Sequence, residues 1–73
     1  MFDPNDLMRL AIERCREGIA TNQSPFGCAI AIGDQLVACE HNTVLATIDI
    51  TAHAEINTLR SACHAVSGIF LKE

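Results

Sequence analysis

Cys28-Ala29-Ile30-Ala31-Ile32-Gly33-Asp34-Gln35-Leu36-Val37-Ala38-Cys39-Glu40 is the stretch that decides the fold. Its first five residues are apolar without a break, the pattern of a strand covered on both faces. Gly33-Asp34 supplies a two-residue hairpin turn. Residues 35–40 then return antiparallel, and a regular ladder sets Cys28 opposite Cys39. A strand apolar on both faces needs a layer above and a layer below, and the flanking sequence offers one helix on each side.

Upstream, Asp3-Pro4-Asn5-Asp6 reads as a helix start: Asp3 caps, Pro4 suits the first helical position, and early acids suit the dipole. The pattern predicts a helix over residues 4–20. Met8, Ile12, Cys15 and Ile19 form an apolar stripe at helical spacing, with Leu7, Leu10, Ala11 and Arg14 along another side. Asn22-Gln23-Ser24-Pro25 breaks the helix, and Pro25-Phe26-Gly27 leads into the first strand. Downstream, residues 44–50 read as a crossing loop. A second helix starts near Thr51 as its cap, burying Ala52, Ile56, Leu59 and Cys63 and turning Asn57, Arg60 and Ser61 to water. Ile69-Phe70-Leu71 reads as the approach to another strand. Two strands make too small a sheet to stand alone. The reading is therefore the N-terminal α-β-β-α half of an α/β layered structure.

Composition narrows the function. The chain has 73 residues, a net charge of −4 and only five Lys and Arg, so it carries no electrostatic footprint for a phosphate backbone. Three Phe, no Tyr and no Trp leave no stacking platform for single strands. A small neutral substrate fits better. No apolar run approaches the ~20 residues of a membrane span, and the N-terminus lacks a signal-peptide pattern. These features predict a cytoplasmic protein with no membrane partner. Its four cysteines, Cys15, Cys28, Cys39 and Cys63, match no compact zinc ribbon and read as packed, reduced thiols.

The chemistry lies in Thr51-Ala52-His53-Ala54-Glu55. At a helix N-terminus His53 and Glu55 can share one cleft, a nitrogen to hold a metal beside an acid to move protons. A His-x-Glu triplet alone arises by chance at roughly one position in a thousand. Asn42, just past the second strand, adds an amide suited to the edge of a purine or pyrimidine, and Pro25-Phe26-Gly27 adds a strand entry. The combination is far more specific than any one part.

In Pro25-Phe26-Gly27, Asn42 and Asp49-x-Thr51-Ala52-His53-Ala54-Glu55, taken in this order, the chain resembles the cytidine-deaminase-like superfamily. The nearest branch is that of the bacterial purine-base and tRNA-adenosine deaminases, guanine deaminase in particular. The resemblance covers nearly the whole chain. It implies the N-terminal half of a three-layer deaminase sandwich and zinc-dependent hydrolytic removal of an amino group from a base or nucleoside. By resemblance, His53 is the histidine zinc ligand and Glu55 the proton shuttle. Asn42 contacts the substrate base, the Ala54 backbone N–H meets a ring substituent, and Phe26 lies at the pocket entrance.

Three departures stand out. Ile50 occupies a position where proline is usual, and Cys28 one where alanine is common. The Pro-Cys-x-x-Cys that completes the zinc site in the family does not occur among the 73 residues. Cys63 and His64 cannot replace it, because they lie about 15 Å along the same helix from His53 at 1.5 Å per residue. Residues 1–73 are therefore expected to form a partial deaminase domain, inactive by itself, with two Cys ligands outside the chain. The expected partners are a nucleobase or nucleoside, with tRNA left open, and either copies of the chain in a homo-oligomer or the missing C-terminal half. The alternative is a non-catalytic oligomerising or partner-binding protein of deaminase ancestry.

Overall fold

The computed structural model describes residues 3–68; the expected strand approach at Ile69-Phe70-Leu71 lies outside them. The elements are α1 (Pro4–Ala20), β1 (Gly27–Ile32), β2 (Gln35–His41), α2 (Val44–Thr47) and α3 (Ala54–Val66). The first helix begins and ends where its signals predict. An Asp3 side-chain oxygen accepts from Asn5 N–H at 2.8 Å, and Pro4 occupies the first turn. At the other end Thr21 N–H and hydroxyl both bond the Gly18 carbonyl.

β1 and β2 form an antiparallel hairpin turned at Gly33, which takes φ +59°. The register corrects the sequence reading. Ile32 pairs Gln35 and Ala31 pairs Leu36 as a regular ladder requires, but beyond Ile30 the pairing slips by one, so Cys39 faces Ala29 and Cys28 faces Glu40. β2 has seven residues against six in β1, and the extra one, Val37, is a bulge. Because faces alternate along a strand, Cys28 and Cys39 point to opposite sides of the sheet. All four cysteines are free. Cys39 is buried and donates to the Leu10 carbonyl at 3.4 Å. Burial pushes its thiol above the ordinary value, against a smaller downward pull from Arg14.

The helices cover opposite faces and make no contact with each other, α1 lying over β1 and α3 over β2. This gives three layers, α1–sheet–α3, with principal extents of 34 × 26 × 12 Å. With one extent so small, most side chains lie near a surface. The buried apolar residues are small: Ala38, Cys39, Ala52, Ala54 and Ala62.

The expected stripes hold only in part: Ala52 is buried and Cys15, Ile56 and Cys63 are half-buried, but the larger residues are displaced. On α1 the side toward the sheet runs through Leu7, Ala11, Cys15 and Gly18, while Met8 is 62% exposed and Ile12 and Ile19 also reach solvent. On α3 the buried line is Ala54, Thr58 and Ala62, and Leu59 is exposed. Small residues let backbones approach closely, and closeness rather than hydrophobicity selects the inner side here. Thr58, wholly buried, donates to Ala54 O at 2.6 Å and reaches the Cys28 carbonyl at 3.4 Å, joining α3 to β1.

The expected loop at 44–50 contains the short α2, closed by Ile48 in the left-handed region at φ 53°. A β-branched residue there carries strain of about 1–2 kcal/mol, and Ile48 is 93% exposed, so its side chain offsets little of that cost. Ile48→Asn is expected to raise the thermal midpoint by a few degrees, since asparagine tolerates this conformation. An unchanged or lower midpoint in a melting curve counts against the strain.

Candidate active site

The site forms where β2 ends and α3 begins. Asn42 follows β2 directly, its N–H bonded to Phe26 O at 3.2 Å, so the entry to β1 and the exit from β2 are fixed side by side. Its side-chain oxygen accepts from Val44 N–H at 3.1 Å, which orients the amide and, among the described residues, leaves its NH₂ as the remaining donor. Asn42 is buried.

Thr51 does not cap the helix as expected. Its N–H and hydroxyl both donate to Asp49 Oδ1, at 2.9 and 2.7 Å, forming a side-chain-closed turn before the helix. Arg60 on α3 holds that turn, 3.8 Å from Asp49 Oδ2 and donating to Thr51 Oγ1 at 3.3 Å. The chain then enters α3 with His53 as the N-cap, its ring making no capping bond. Ala54 follows at the first helical position, where an N–H has no intrahelical acceptor, and among the described residues it bonds to no other group.

The Thr51 hydrogen bonds, with a smaller contribution from Arg60, hold the Asp49 carboxyl below its ordinary value of 3.8. A depressed folded-state value means that the stability Asp49 contributes is present above the unfolded value and lost as pH falls through the folded one. The protection of the Thr51 amide, its exchange rate relative to that of an unstructured chain at the same pH, is therefore expected to fall as pH drops below about 4 in the native chain and to show no such step in Asp49→Asn. A step that survives the substitution assigns the effect to another group.

An open cleft of about 200 Å³ is lined by Phe26, Asn42, His53, Ala54 and Glu55. All five candidate residues of the sequence reading thus meet around one cavity. His53 Nδ1 lies 3.4 Å from Glu55 Oε1, with side chains 52% and 61% exposed. The geometry offers an imidazole and a carboxylate side by side, an amide donor facing them, a free backbone N–H and an aromatic ring at the rim. Such a set can hold a flat heteroaromatic ring, accept a proton and return it.

One residue escaped the sequence reading. Asn57, assigned to water, is half-buried and donates to His41 O and Thr43 Oγ1, both at 2.9 Å, and to Ala52 O at 3.2 Å. No periodicity marks it, because it lies beside the buried line of α3 and not on it.

A catalytic zinc takes three protein ligands. His53 fits one of those positions: its ring is half exposed, and its Nδ1 lies beside Glu55. Among the described residues no group of three or more His, Cys, Asp or Glu could hold a metal ion, so the set is not complete within them. No helix among the described residues is long and apolar enough to cross a membrane.

Comparison with known proteins agrees with the architecture. Over 66 residues the chain is 30% identical to the tRNA-specific adenosine deaminase of Agrobacterium fabrum, a match covering 90% of this chain and 43% of that protein. The structure superposes with a TM-score of 0.87 on one from a study of A-to-I editing by tRNA:A34 deaminases at the wobble position of transfer RNA (30% identity, 92% of this chain, 52% of that one). It superposes equally well on guanine deaminase from Bacillus subtilis, with a TM-score of 0.87 and 28% identity over 92% of this chain and 43% of that one. The chain spans about half the length of these relatives. Residues 1–72 match the cytidine and deoxycytidylate deaminase zinc-binding region, and the chain belongs to that family.

Proposed function

We propose that residues 1–73 are the N-terminal half of a zinc-dependent hydrolytic deaminase acting on an amino-substituted purine or pyrimidine, as free base or nucleoside, and that this half alone does not turn over. The observation that carries the reading is the convergence of Phe26, Asn42, His53, Ala54 and Glu55 on one cleft in a chain of this family.

His53 would hold zinc through one imidazole nitrogen, together with two thiolates from outside residues 1–73. Bound there, the metal would lower the pKa of a coordinated water to near 7 and so supply a nucleophile at neutral pH. Glu55, beside His53 and not needed as a ligand, accepts the proton of the attacking water. It delivers that proton to a ring nitrogen, then takes the second proton of the added water from the hydroxyl on the tetrahedral carbon and passes it to the departing amine, so that ammonia leaves as the carbonyl forms. The balance is water added and ammonia lost: a C–NH₂ carbon becomes a carbonyl carbon. The Asn42 NH₂ donates to an acceptor on the ring edge, which favours a carbonyl oxygen or an unprotonated ring nitrogen at that point. The Ala54 N–H stands beside it for a second acceptor, and Phe26 covers the ring. By similarity to the relatives above, guanine and adenosine in tRNA are the first substrates to try.

The test measures bound zinc and ammonia release from guanine, adenosine and cytosine, for the 73-residue chain and for a protein that continues into a zinc-thiolate half. Zinc and turnover are expected only in the longer protein. Stoichiometric zinc with turnover by the 73 residues overturns the claim that they are a half-site.

The second reading, a non-catalytic partner-binding or oligomerising protein, rests on Leu45, Ile48 and Ile50. These are large apolar side chains exposed on the segment next to the cleft, an arrangement that suits a protein contact. Sedimentation discriminates: a stable, well-dispersed monomer counts against this reading.

A further inference from the structure

We infer that Asn57 is the positioning residue of this site, its side-chain amide locking the segment that bears Asn42 to the segment that bears His53 and Ala54. The inference rests on the functional reading above for what the geometry is used for, but not for the geometry itself.

Asn57 does not line the cleft. Its NH₂ has two hydrogens and lies within bonding distance of three oxygens: His41 O at 2.9 Å, Thr43 Oγ1 at 2.9 Å and Ala52 O at 3.2 Å. At least one hydrogen is therefore shared. Two of these acceptors flank Asn42, and the third belongs to the residue before His53. The amide thus bridges two stretches ten residues apart in sequence that approach from different elements. Its own place is fixed by its backbone N–H, which donates to His53 O at 2.8 Å.

Among the described residues, one other hydrogen bond joins the two segments directly, Thr43 N–H to Ala52 O at 3.0 Å. Both bonds use the Ala52 carbonyl, and Ala52 is only 2% exposed. Removing the Asn57 amide takes a donor from three part-buried oxygens and leaves the Thr43 N–H bond to Ala52 O as the one direct hydrogen bond between the segments among the described residues. The segments then part at the point that sets the distance from the Asn42 amide to the His53 ring and the Ala54 N–H. Sub-ångström placement of such groups governs a positioned reaction.

The experiment is amide hydrogen exchange and heteronuclear NMR on the isotope-labelled 73-residue chain and its Asn57→Ala variant. Thr43 and Val44 amides are expected to exchange at least tenfold faster in the variant, and the Asn42 side-chain NH₂ resonances to move toward those of a free amide. Amides within α1 and at the Ile30–Ala38 pairing keep their native rates. Unchanged Thr43, Val44 and Asn42 signals overturn the inference. So does a common acceleration of all amides, which marks a structural role only. Should Asn57→Ala fail to fold, Thr43→Val decides, since it removes one acceptor at nearly constant shape. A smaller local acceleration at Val44 and a shift of the Asn42 NH₂ support the inference, and no local effect overturns it. None of these signals depends on turnover, so failure of the deaminase reading would appear separately, as absence of ammonia from the completed native protein.

Discussion

Gly27→Ala lowers the thermal midpoint by more than about 10 °C or leaves the chain unfolded. Gly27 is where α1 lies directly on β1. A Cβ there would fall inside the van der Waals shell of the Ala11 carbonyl oxygen and 2.8 Å from the Cys15 nitrogen. Both obstacles are helix backbone, so no side chain can rotate away, and α1 as a whole must lift from the sheet. Overpacking of this kind costs about 1–3 kcal/mol or more. A single core in a chain this short supplies only ~3–5 kcal/mol, so the loss is a large share of the total. Gly18→Ala is the internal control. Its Cβ would meet the His41 ring at 3.1 Å, a side chain that can yield, and alanine gains about 1 kcal/mol of helix propensity over glycine. Circular dichroism melting curves are expected to show a small shift for Gly18→Ala and a large one for Gly27→Ala. Equal shifts would mean that α1 does not depend on the close approach at Gly27.

Glu55→Gln lowers kcat by about 10²–10⁴-fold in the zinc-loaded protein that includes the thiolate half, with zinc content unchanged. The substitution preserves size and hydrogen bonding but removes the ability to take a proton from water and pass it on. His53→Ala is expected to lose zinc and activity together. The pair of variants separates the two proposed roles, because only one should alter metal content. Metal analysis beside an ammonia assay makes the comparison. Retention of more than a tenth of the native kcat by Glu55→Gln sinks the shuttle assignment, and loss of zinc from the same variant makes Glu55 a ligand instead.

Both predictions bear on how far the sequence could be read. The hairpin was legible because Gly33-Asp34 between two apolar runs permits few alternatives. The bulge at Val37 was not. It adds one unpaired residue to β2, and no residue near Val37 announces it. The candidate residues were legible as types in order, and Phe26, Asn42, His53, Ala54 and Glu55 line one cleft. Asn57 was misread because an asparagine one position off a buried line looks solvent-facing until the segments it joins are seen to converge on it. Thr51 was misread for a related reason. A threonine before a helix suggests a cap, but Asp49 lies close enough to claim both of its donors.

By itself, then, the sequence determined the features set by short-range rules. The cap and limits of α1, the hairpin turn, the α-β-β-α order and the residue types of the cleft all depend on neighbours a few positions away. The tertiary structure alone decided the register beyond Ile30, which sides of α1 and α3 turn inward, and the clamp made by Asn57. Those depend on how closely one backbone approaches another across a layer. That approach favours Gly, Ala and Thr on the inner sides and leaves Met8, Ile12 and Leu59 exposed, so hydrophobic periodicity marks the inner sides only in part.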